Sequence, residues 1–257
     1  MLDTKSHEVT GSFSKFLQIN IMRIAIITDT HYRPDMESTC GVRQTARGAQ
    51  LLRQAIMRLN QNIKPDLTVL LGDLIDAGHL EQGESDLREI YAQARLCQSP
   101  LLAIPGNHDG SPEQFYRVFP RPEPVFELMG LRFVCNVDPE RPGYNASREP
   151  EGLALLTQAR AGFEGPIVSL QHVPVLPPGT EKCPYNYDNA AEILQAYAEQ
   201  GVCASISGLY HAGLAPISQG GCTFLTVPAL CEAPFRFMLL EVDPQGALCS
   251  SLLALEC

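Results

Sequence analysis

The chain has 257 residues, of which 45% are hydrophobic and 19% charged, a composition typical of a soluble globular protein. Its 29 acidic residues outnumber its 19 basic ones and give a formal net charge of -10, which argues against non-specific binding of nucleic acid through a basic surface. No apolar run is long enough to cross a bilayer, so a membrane-spanning protein is not expected.

The N-terminal segment and the cysteines bear on domain organisation and location. Residues 1–21 are polar, without periodicity, and lack the apolar core of a secretory signal, so we predict a flexible extension, with Met22 as an alternative start. A single domain is expected over residues 22–257. The nine cysteines are scattered and never spaced as C-x-x-C, which favours a reducing, cytoplasmic location over a disulfide framework or a zinc cage.

Five short apolar runs predict buried strands along the first four fifths of the chain. They are RIAIIT at 23–28, LTVLL at 67–71, LLAI at 101–104, PIVSL at 166–170 and CASIS at 203–207. Their nearly continuous apolar character is typical of strands in a sheet that is covered on both faces.

Helical patterns lie between these strands. Apolar residues from Ala49 to Ile63 recur at helical spacing and predict a long amphipathic helix. A second helix is predicted just before the CASIS strand, where Asn189 and Glu192 resemble a capping box and Gly201 resembles a C-terminal cap.

The middle and the end of the chain predict antiparallel structure. VFELMGLRFVCNV predicts a hairpin that turns at Gly130. Runs at 223–227, 236–242 and 247–255 are joined by short turns and predict antiparallel strands that close a second sheet. Together, the elements predict an α/β sandwich with two packed sheets and helices outside.

Polar side chains capable of binding metal or transferring protons follow all five predicted strands. In chain order they are Asp29 and His31, Asp73 and Asp76, Asn107, His108 and Asp109, His172, and His211. The carboxyl ends of strands in open α/β sheets line the crevice where ligands bind, so we expect one shared site. A lone histidine is more often structural, but five such fragments in succession favour a site over coincidence.

The residue types narrow the chemistry. Carboxylates, a carboxamide and imidazoles without thiolate suit a divalent ion such as Mn, Fe or Zn, and two ions that share a carboxylate suit in-line displacement at phosphorus. The chain lacks the phosphate-binding loop G-x-x-x-x-G-K-[ST], the serine-hydrolase elbow G-x-S-x-G and a dinucleotide-binding G-x-G-x-x-G after a strand.

The order of the motifs D-x-H, G-D, G-N-H-[DE], H and G-H-x-H, from about Arg23 to the C-terminal strands, resembles the calcineurin-like metallophosphoesterase superfamily. The resemblance implies a four-layer α/β/β/α sandwich with two packed mixed sheets. It implies two divalent ions that share Asp73. The other implied ligands are Asp29, His31 and His211 for the first ion, and Asn107 and His172 for the second.

The last motif departs from the family pattern. SGLYHAG at 207–213 has Leu209 where G-H-x-H has its first histidine, and leucine cannot bind a metal. The loss should weaken the second ion by at least the ~10- to 100-fold typical of losing a supporting residue, with water completing its coordination. His79 is a conceivable replacement, although an ordinary loop histidine is the simpler interpretation.

The implied activity is hydrolysis of a small phosphoester by a metal-activated water. His108 is expected to stabilise the transition state or protonate the leaving group, with Asp109 orienting its ring. Arg33 and Arg43 are candidates for binding the substrate phosphate, with a solvated arginine as the alternative for each.

The substrate and the role of Leu209 stay open at this point. A nucleotide is one candidate substrate, and the choice between monoesters and diesters is not determined. Leu209 leaves two alternative functions: a non-catalytic scaffold that retains the fold, and a protein that binds a single metal ion. Against the scaffold stands the presence of every other motif residue.

Overall fold

The structure of the chain is a computed structural model that describes residues 21–35, 42–180 and 182–256. The extension predicted over residues 1–21 therefore lies, apart from Ile21, outside the described residues. Strands and helices are numbered below in chain order. Within the described ranges, no helix has the length and apolar character needed to span a membrane.

The first sheet joins a parallel half to an antiparallel edge, in the order β13–β12–β1–β2–β3. Its strands are β1 Met22–Ile27, β2 Leu67–Leu71, β3 Leu101–Ile104, β12 Arg236–Val242 and β13 Leu248–Ala254. Strands β1, β2 and β3 are parallel, β12 runs antiparallel to β1, and β13 antiparallel to β12.

The second sheet is also mixed, with the order β10–β11–β9–β8–β5–β4. Its strands are β4 Val125–Leu128, β5 Leu131–Cys135, β8 Ile167–Leu170, β9 Val202–Ser207, β10 Ile217–Gln219 and β11 Cys222–Thr226. The four inner strands are parallel, and β4 and β10 are antiparallel edges. A separate pair consists of β6 Glu140–Arg141 and β7 Asn145–Ala146.

Helices cover the outer face of each sheet, which gives four layers. They are α1 Gly48–Arg58, α2 Gly83–Ala94, α3 Pro112–Phe115, α4 Pro150–Arg160 and α5 Ala190–Gln200. Apolar residues of α1 and α2 pack on the first sheet, those of α4 and α5 pack on the second, and a third buried cluster fills the space between the sheets. The predicted sandwich with two packed mixed sheets is confirmed.

The local predictions hold for most elements. The five predicted strands form with ends within about one residue of those expected, and the hairpin turns at Met129 and Gly130, both with positive φ. The long helix forms as α1 followed by one π-helical turn at Leu59–Ile63. Gly201 ends α5 in the left-handed conformation, with φ 62°, as the sequence predicts.

The predicted capping box at α5 is wrong. The side chain of Asn189 makes no capping hydrogen bond to the helix. Its Oδ1 accepts from the backbone N–H of Arg148 at 3.0 Å, and its Nδ2 donates to the carbonyl oxygen of Arg148 at 2.9 Å. Asn189 therefore fastens α5 to the segment before α4.

The predicted placement of the tail strands is also wrong in part. Strands β12 and β13 join the first sheet beside β1, and only β11 joins the second, where it runs parallel to β9. An alternating pattern shows that a segment is a strand but does not show which sheet edge it will join.

Candidate metal centre

All five polar fragments predicted from the sequence meet at one end of the two sheets. Those that follow β1, β2 and β3 come from the first sheet, and those that follow β8 and β9 come from the second. Because each group of strands is parallel, their carboxyl ends lie on one edge, where α/β sheets bind ligands. The site therefore spans the junction of the two sheets.

Unusual backbone conformations position three of the candidate ligands. Asp29, His31 and Asp73 have φ values of 54°, 41° and 51°, a region that residues other than glycine rarely adopt. Hydrogen bonds between the loops hold them: Asp29 N–H donates to Gly72 O, and His31 N–H donates to Asp73 O, each at 3.0 Å. Such strain is typical of functional sites with a rigid surrounding.

Gly106 shows how closely the loops approach. A Cβ atom on this residue would overlap Asp73 Oδ1 and would lie 2.8 Å from His172 Nε2. Only glycine leaves room for the side chains from β2 and β8 to meet here.

The first group of candidate ligands contains Asp29, His31 and His211. Asp29 Oδ1 lies 3.4 Å from His211 Nε2 and 3.7 Å from His31 Nε2, and the two Nε2 atoms are 3.1 Å apart. Asp73 Oδ2 is 3.6 Å from His31 Nε2. Donor atoms this close can bind one divalent ion together.

The second group shares Asp73. Its Oδ2 lies 3.1 Å from His172 Nε2, and its Oδ1 accepts the backbone N–H of His108 at 2.8 Å. Asn107, which precedes His108, has a buried Oδ1 without a hydrogen-bond partner among the described residues. Asp73 thus lies between the two groups, in the position of a shared ligand.

Each imidazole of the two groups is held by its Nδ1 atom. His31 Nδ1 donates to Asp76 Oδ1 at 3.0 Å, His172 Nδ1 to the Leu71 carbonyl at 2.7 Å, and His211 Nδ1 to Glu232 Oε1 at 2.6 Å. These bonds direct Nε2 of each ring into the site and fix the ring orientation, an arrangement typical of imidazoles at metal sites.

Buried atoms without partners test whether the residues suit a metal. Six buried side-chain atoms of the described residues lack a hydrogen bond, and three of them belong to the two groups: Asp29 Oδ1, Asn107 Oδ1 and His172 Nε2. A buried polar atom in this state costs about 1–3 kcal/mol, so three of them at one strand edge suit a site that a cation completes. An oxygen and nitrogen donor set of this kind fits divalent ions.

The electrostatics of the metal-free protein are those of paired opposite charges. Burial alone would raise the pKa of Asp29, but the imidazoles of His211 and His31, with Nε2 atoms 3.4 and 3.7 Å from Asp29 Oδ1, hold it well below its usual range. Burial would lower the pKa values of His31 and His172, but the neighbouring carboxylates raise them to about 9 and about 10. Metal binding must therefore displace protons from these imidazoles.

His108 lies beside both groups, and its ring is held by Asp76 and not by Asp109 as expected. Its Nδ1 donates to the carbonyl oxygen of Asp76 at 2.8 Å, and its ring packs edge-on against His31 at 4.7 Å between centroids. The expectation that Asp109 orients this ring is wrong. Asp109 instead accepts backbone N–H bonds from Leu74 at 2.7 Å, Ile75 at 2.9 Å and Gly106 at 2.8 Å, so it ties together the loops after β2 and β3.

Sequence reasoning placed Asp76 among the polar residues at the strand ends, and it missed Glu232. Asp76 binds His31 and His108, and Glu232 holds His211. Glu232 follows Cys231 in a stretch with no recognisable motif, so no signal in the sequence could have found it. The structure shows the role of Glu232 because the loop after β11 passes next to the carboxyl end of β9, where His211 lies.

Leu209 packs against apolar residues. It is 8% exposed and belongs to the cluster that also contains Val173, Val175 and Phe224. Its φ is 62°, and its backbone N–H donates to Asp29 Oδ2 at 3.2 Å. The backbone at this position therefore still supports the site, while the side chain contributes no ligand.

The remaining sequence candidates divide between the site and the surface. Arg43 Nη1 lies 3.5 Å from Asp76 Oδ1, and its Nε is buried without a hydrogen bond to any described residue. Burial raises the pKa of the Asp86 carboxyl on α2, and the nearby Arg33 opposes this only in part. His79 is exposed and lines a different surface pocket, so it does not replace the missing ligand.

Comparison with protein-family models matches residues 22–205 to the calcineurin-like phosphoesterase family. Among solved structures, a dimetal phosphatase from Danio rerio has a TM-score of 0.67 at 17% identity, with 91% of this chain and 99% of that chain covered. Among curated proteins, no sequence matches the chain.

Two further solved structures share the fold. A purple acid phosphatase from yellow lupin (Lupinus luteus) seeds has a TM-score of 0.60 at 13% identity, covering 92% of this chain and 52% of that one. A 5'-nucleotidase precursor from Thermus thermophilus has a TM-score of 0.56 at 17% identity, covering 91% and 54%. This chain spans about half the length of these two proteins.

The family match extends over more than half of the chain and includes the first four motifs, from Asp29 to His172. His211 lies beyond the matched residues, but its contacts with Asp29 and His31 place it in the same site. The solved structures confirm the four-layer fold. The chain is therefore a hydrolase of phosphoric esters that belongs to the calcineurin-like phosphoesterase family.

Proposed function

We propose that the chain hydrolyses small phosphoesters with two divalent ions, of which one is bound tightly and one weakly. The tight ion has four protein ligands: Asp29, His31, Asp73 and His211. The weak ion has three: Asp73, Asn107 and His172. The observation that carries this proposal is the clustering of carboxylate and imidazole donor atoms at one strand edge, where Asp29 Oδ1, Asn107 Oδ1 and His172 Nε2 are buried without a hydrogen bond.

The difference between the two ions follows from Leu209. Its side chain packs in an apolar cluster and supplies no donor atom, so the second ion needs water in its coordination. Manganese accepts water ligands readily and is our first candidate, with iron and zinc as the others.

His108 and Asp76, beside the ions, have different roles in the proposed reaction. When bound, the two ions acidify a water molecule and neutralise charge on the phosphate. His108 holds or moves the proton of the leaving group through Nε2, because its Nδ1 is occupied by the Asp76 carbonyl. Asp76 also holds His31, so one residue positions both a metal ligand and the proton donor.

Arg43 is proposed to bind a phosphate oxygen. Its guanidinium lies at the rim of the first group, and its buried Nε has a donor hydrogen that no described residue accepts. A guanidinium with a free N–H matches a phosphate oxygen well. Arg33 is assigned no such role because it lies near Asp86.

The proposed substrate is a small phosphoester inside the cell. A net charge of -10 disfavours long nucleic acid, and a nucleotide is a candidate because a 5'-nucleotidase precursor shares the fold. A cytoplasmic location is supported by the seven described cysteines, all of which are free thiols.

Metal content and activity test the proposal together. We expect elemental mass spectrometry of the purified protein to give one metal equivalent, and two after addition of excess Mn. Hydrolysis of a phosphoester panel should rise in two steps as Mn is titrated. Absence of metal under both conditions, or no hydrolysis of any phosphoester with metal bound, would contradict the proposal.

The Leu209→His variant tests the assignment of the weak ion. Histidine at this position should tighten the second Mn by about 10-fold or more and leave the first unchanged, as measured by calorimetric titration. Leu209→Met is the matched control, because it keeps an apolar side chain of similar volume and offers no imidazole. Equal Mn affinity in both variants would show that Leu209 does not set the weak site.

A further inference from the structure

A pocket of about 380 Å³ opens directly beside the second group of metal ligands. Asn107 and His172 form part of its wall, and the atoms Asn107 Oδ1 and His172 Nε2 are the unpartnered donors of that group. The volume is within the range of small-molecule sites. If the ions hold the phosphate of an ester, the organic group bonded to that phosphate has room to enter this pocket.

The walls of the pocket are mostly apolar. Three prolines line it, together with the valines at 137 and 173: Pro105, Pro112, Pro139, Val137 and Val173. Val137 is 40% exposed, so an apolar surface faces the open mouth. Within the described ranges, neither a lysine nor an arginine lines the pocket.

Apart from His172 of the second group, the charged side chains that line the pocket are carboxylates. Asp138 is nearly buried and already paired: its Oδ2 accepts from Arg148 Nη2 at 2.9 Å and from the Tyr187 hydroxyl at 2.7 Å. Glu140, on β6, is exposed at the rim. A negatively charged group at the mouth of the pocket would meet this carboxylate, and within the described ranges no lysine or arginine lines the pocket to compensate it.

The pocket wall is held rigidly. Asn136 Nδ2 donates to Ser169 Oγ at 3.0 Å and to the Leu170 carbonyl at 3.2 Å, which fixes the chain just before Val137. The Asp138 pairs with Arg148 and Tyr187 fix the residue just after it. A wall positioned before binding loses little conformational entropy when a ligand enters.

We propose that this pocket binds the organic group of the substrate, and that this group is apolar and carries no negative charge. The proposal rests on the proposed function. Aryl or nucleoside esters with a single phosphate fit these walls. Esters whose organic part carries a carboxylate or a second phosphate do not, because desolvating that charge beside Glu140 is unfavourable.

A matched pair of substrates tests the charge preference. Phenyl phosphate and 4-carboxyphenyl phosphate differ only in a carboxylate at the far side of the ring. With the Mn-loaded protein, kcat/KM should be at least about 10-fold higher for phenyl phosphate, since the charged ring must lose its hydration in an apolar pocket.

Two charge variants connect the preference to the pocket. Glu140→Lys should raise kcat/KM for 4-carboxyphenyl phosphate about threefold or more relative to phenyl phosphate. Glu164→Lys changes the net charge equally, and Glu164 is an exposed residue that does not line the pocket. It should leave the ratio between the two substrates unchanged.

A steric pair of variants gives a readout without turnover. Val137→Trp should narrow the mouth and weaken binding of phenylphosphonate at least about 10-fold, measured by calorimetry on the Mn-loaded protein. Binding of inorganic phosphate, which reaches only the ions, should not change. The control is Leu252→Trp, because Leu252 is similarly exposed, at 43%, but lies on β13 away from the pocket.

The outcomes separate the two proposals. Failure to hydrolyse any phosphoester of the panel would overturn the proposed function and this inference with it. The pocket assignment alone would be overturned by hydrolysis of other phosphoesters but of neither of these two, by equal rates for the two esters, by a ratio that Glu140→Lys does not move, or by phenylphosphonate binding that Val137→Trp does not weaken. A preference for phenyl phosphate that shifts in Glu140→Lys but not in Glu164→Lys, together with weaker phenylphosphonate binding in Val137→Trp but not in Leu252→Trp, would support it.

Discussion

The carboxylates at the ends of β1, β2 and β3 have similar burial but different partners. Asp29 and Asp73 contact imidazole Nε2 atoms and lie among the candidate ligands. Asp109, although completely buried, accepts only backbone N–H groups from the loops around it. The partners of a carboxylate, and not its burial or its motif, therefore indicate whether it binds metal or supports the loop structure.

Replacement of Asp109 should primarily affect stability. Asp109→Ala leaves the buried N–H groups of Leu74 and Ile75 and the partly buried N–H of Gly106 without acceptors, and we expect the free energy of unfolding to fall by about 3 kcal/mol or more in urea titrations. Asp243→Ala is the matched control, because Asp243 Oδ1 also accepts two backbone N–H bonds but in an exposed turn. Equal losses in the two variants would contradict this role for Asp109.

Replacement of His108 should primarily affect turnover. His108→Ala removes the proposed proton donor, so kcat should fall by about 10²- to 10⁴-fold, while metal content measured by elemental mass spectrometry stays at the wild-type value. His79→Ala, which removes an exposed histidine of a neighbouring loop, should change neither quantity. Loss of metal in parallel with kcat would assign His108 to the metal site instead.

The sequence alone predicts the candidate ligands better than the residues that hold them. Asp29, His31 and Asn107 directly follow strands in short motifs, and strand ends in a parallel sheet meet wherever the strands pair. Glu232 contacts His211 only because a loop from β11 folds back across the site. Such a contact depends on tertiary packing, for which a single sequence carries no local signal.

At the scale of elements, a buried arginine fastens the segment before α4 to the second sheet and to α5. Arg148 is 1% exposed and pairs with Asp138, and its Nη1 donates to the Tyr197 hydroxyl of α5 at 3.1 Å. Tyr197 in turn donates to Ser169 Oγ of β8 at 2.8 Å. The network ends at Gln171, the residue before His172.

Removal of the Arg148 side chain should strongly destabilise the folded protein. Arg148→Ala leaves Asp138 buried without its cation, and we expect a loss of about 3–5 kcal/mol in the free energy of unfolding. The exposed pair of Arg141 and Asp188, 3.3 Å apart, supplies the comparison. Arg141→Ala should cost less than about 1 kcal/mol. Chemical denaturation of both variants measures the difference, and a loss below about 1 kcal/mol for Arg148→Ala would show that the network is not needed for stability.

At the scale of the whole molecule, the candidate ligands join the two sheets. Asp29, Asp73 and Asn107 come from the first sheet, and His172 and His211 come from the second. The sequence predicts two sheets but not the edge that each tail strand joins. Away from this edge, the contact between the sheets is an apolar cluster, so a bound ion would add polar cross-links at one end of an otherwise hydrophobic interface.

A metal at this position should stabilise both sheets together, since it binds only when both sets of ligands are in place. At a free Mn concentration 100 times its dissociation constant, the free energy of unfolding should rise by about 2.7 kcal/mol, measured by urea titration with Mn and with chelator. Asp73→Asn removes the shared carboxylate and should abolish most of the gain, whereas Asp243→Asn, in an exposed turn, should retain it. An equal gain in both variants would mean that Mn binds elsewhere, and no gain in the wild-type protein would mean that metal does not join the sheets.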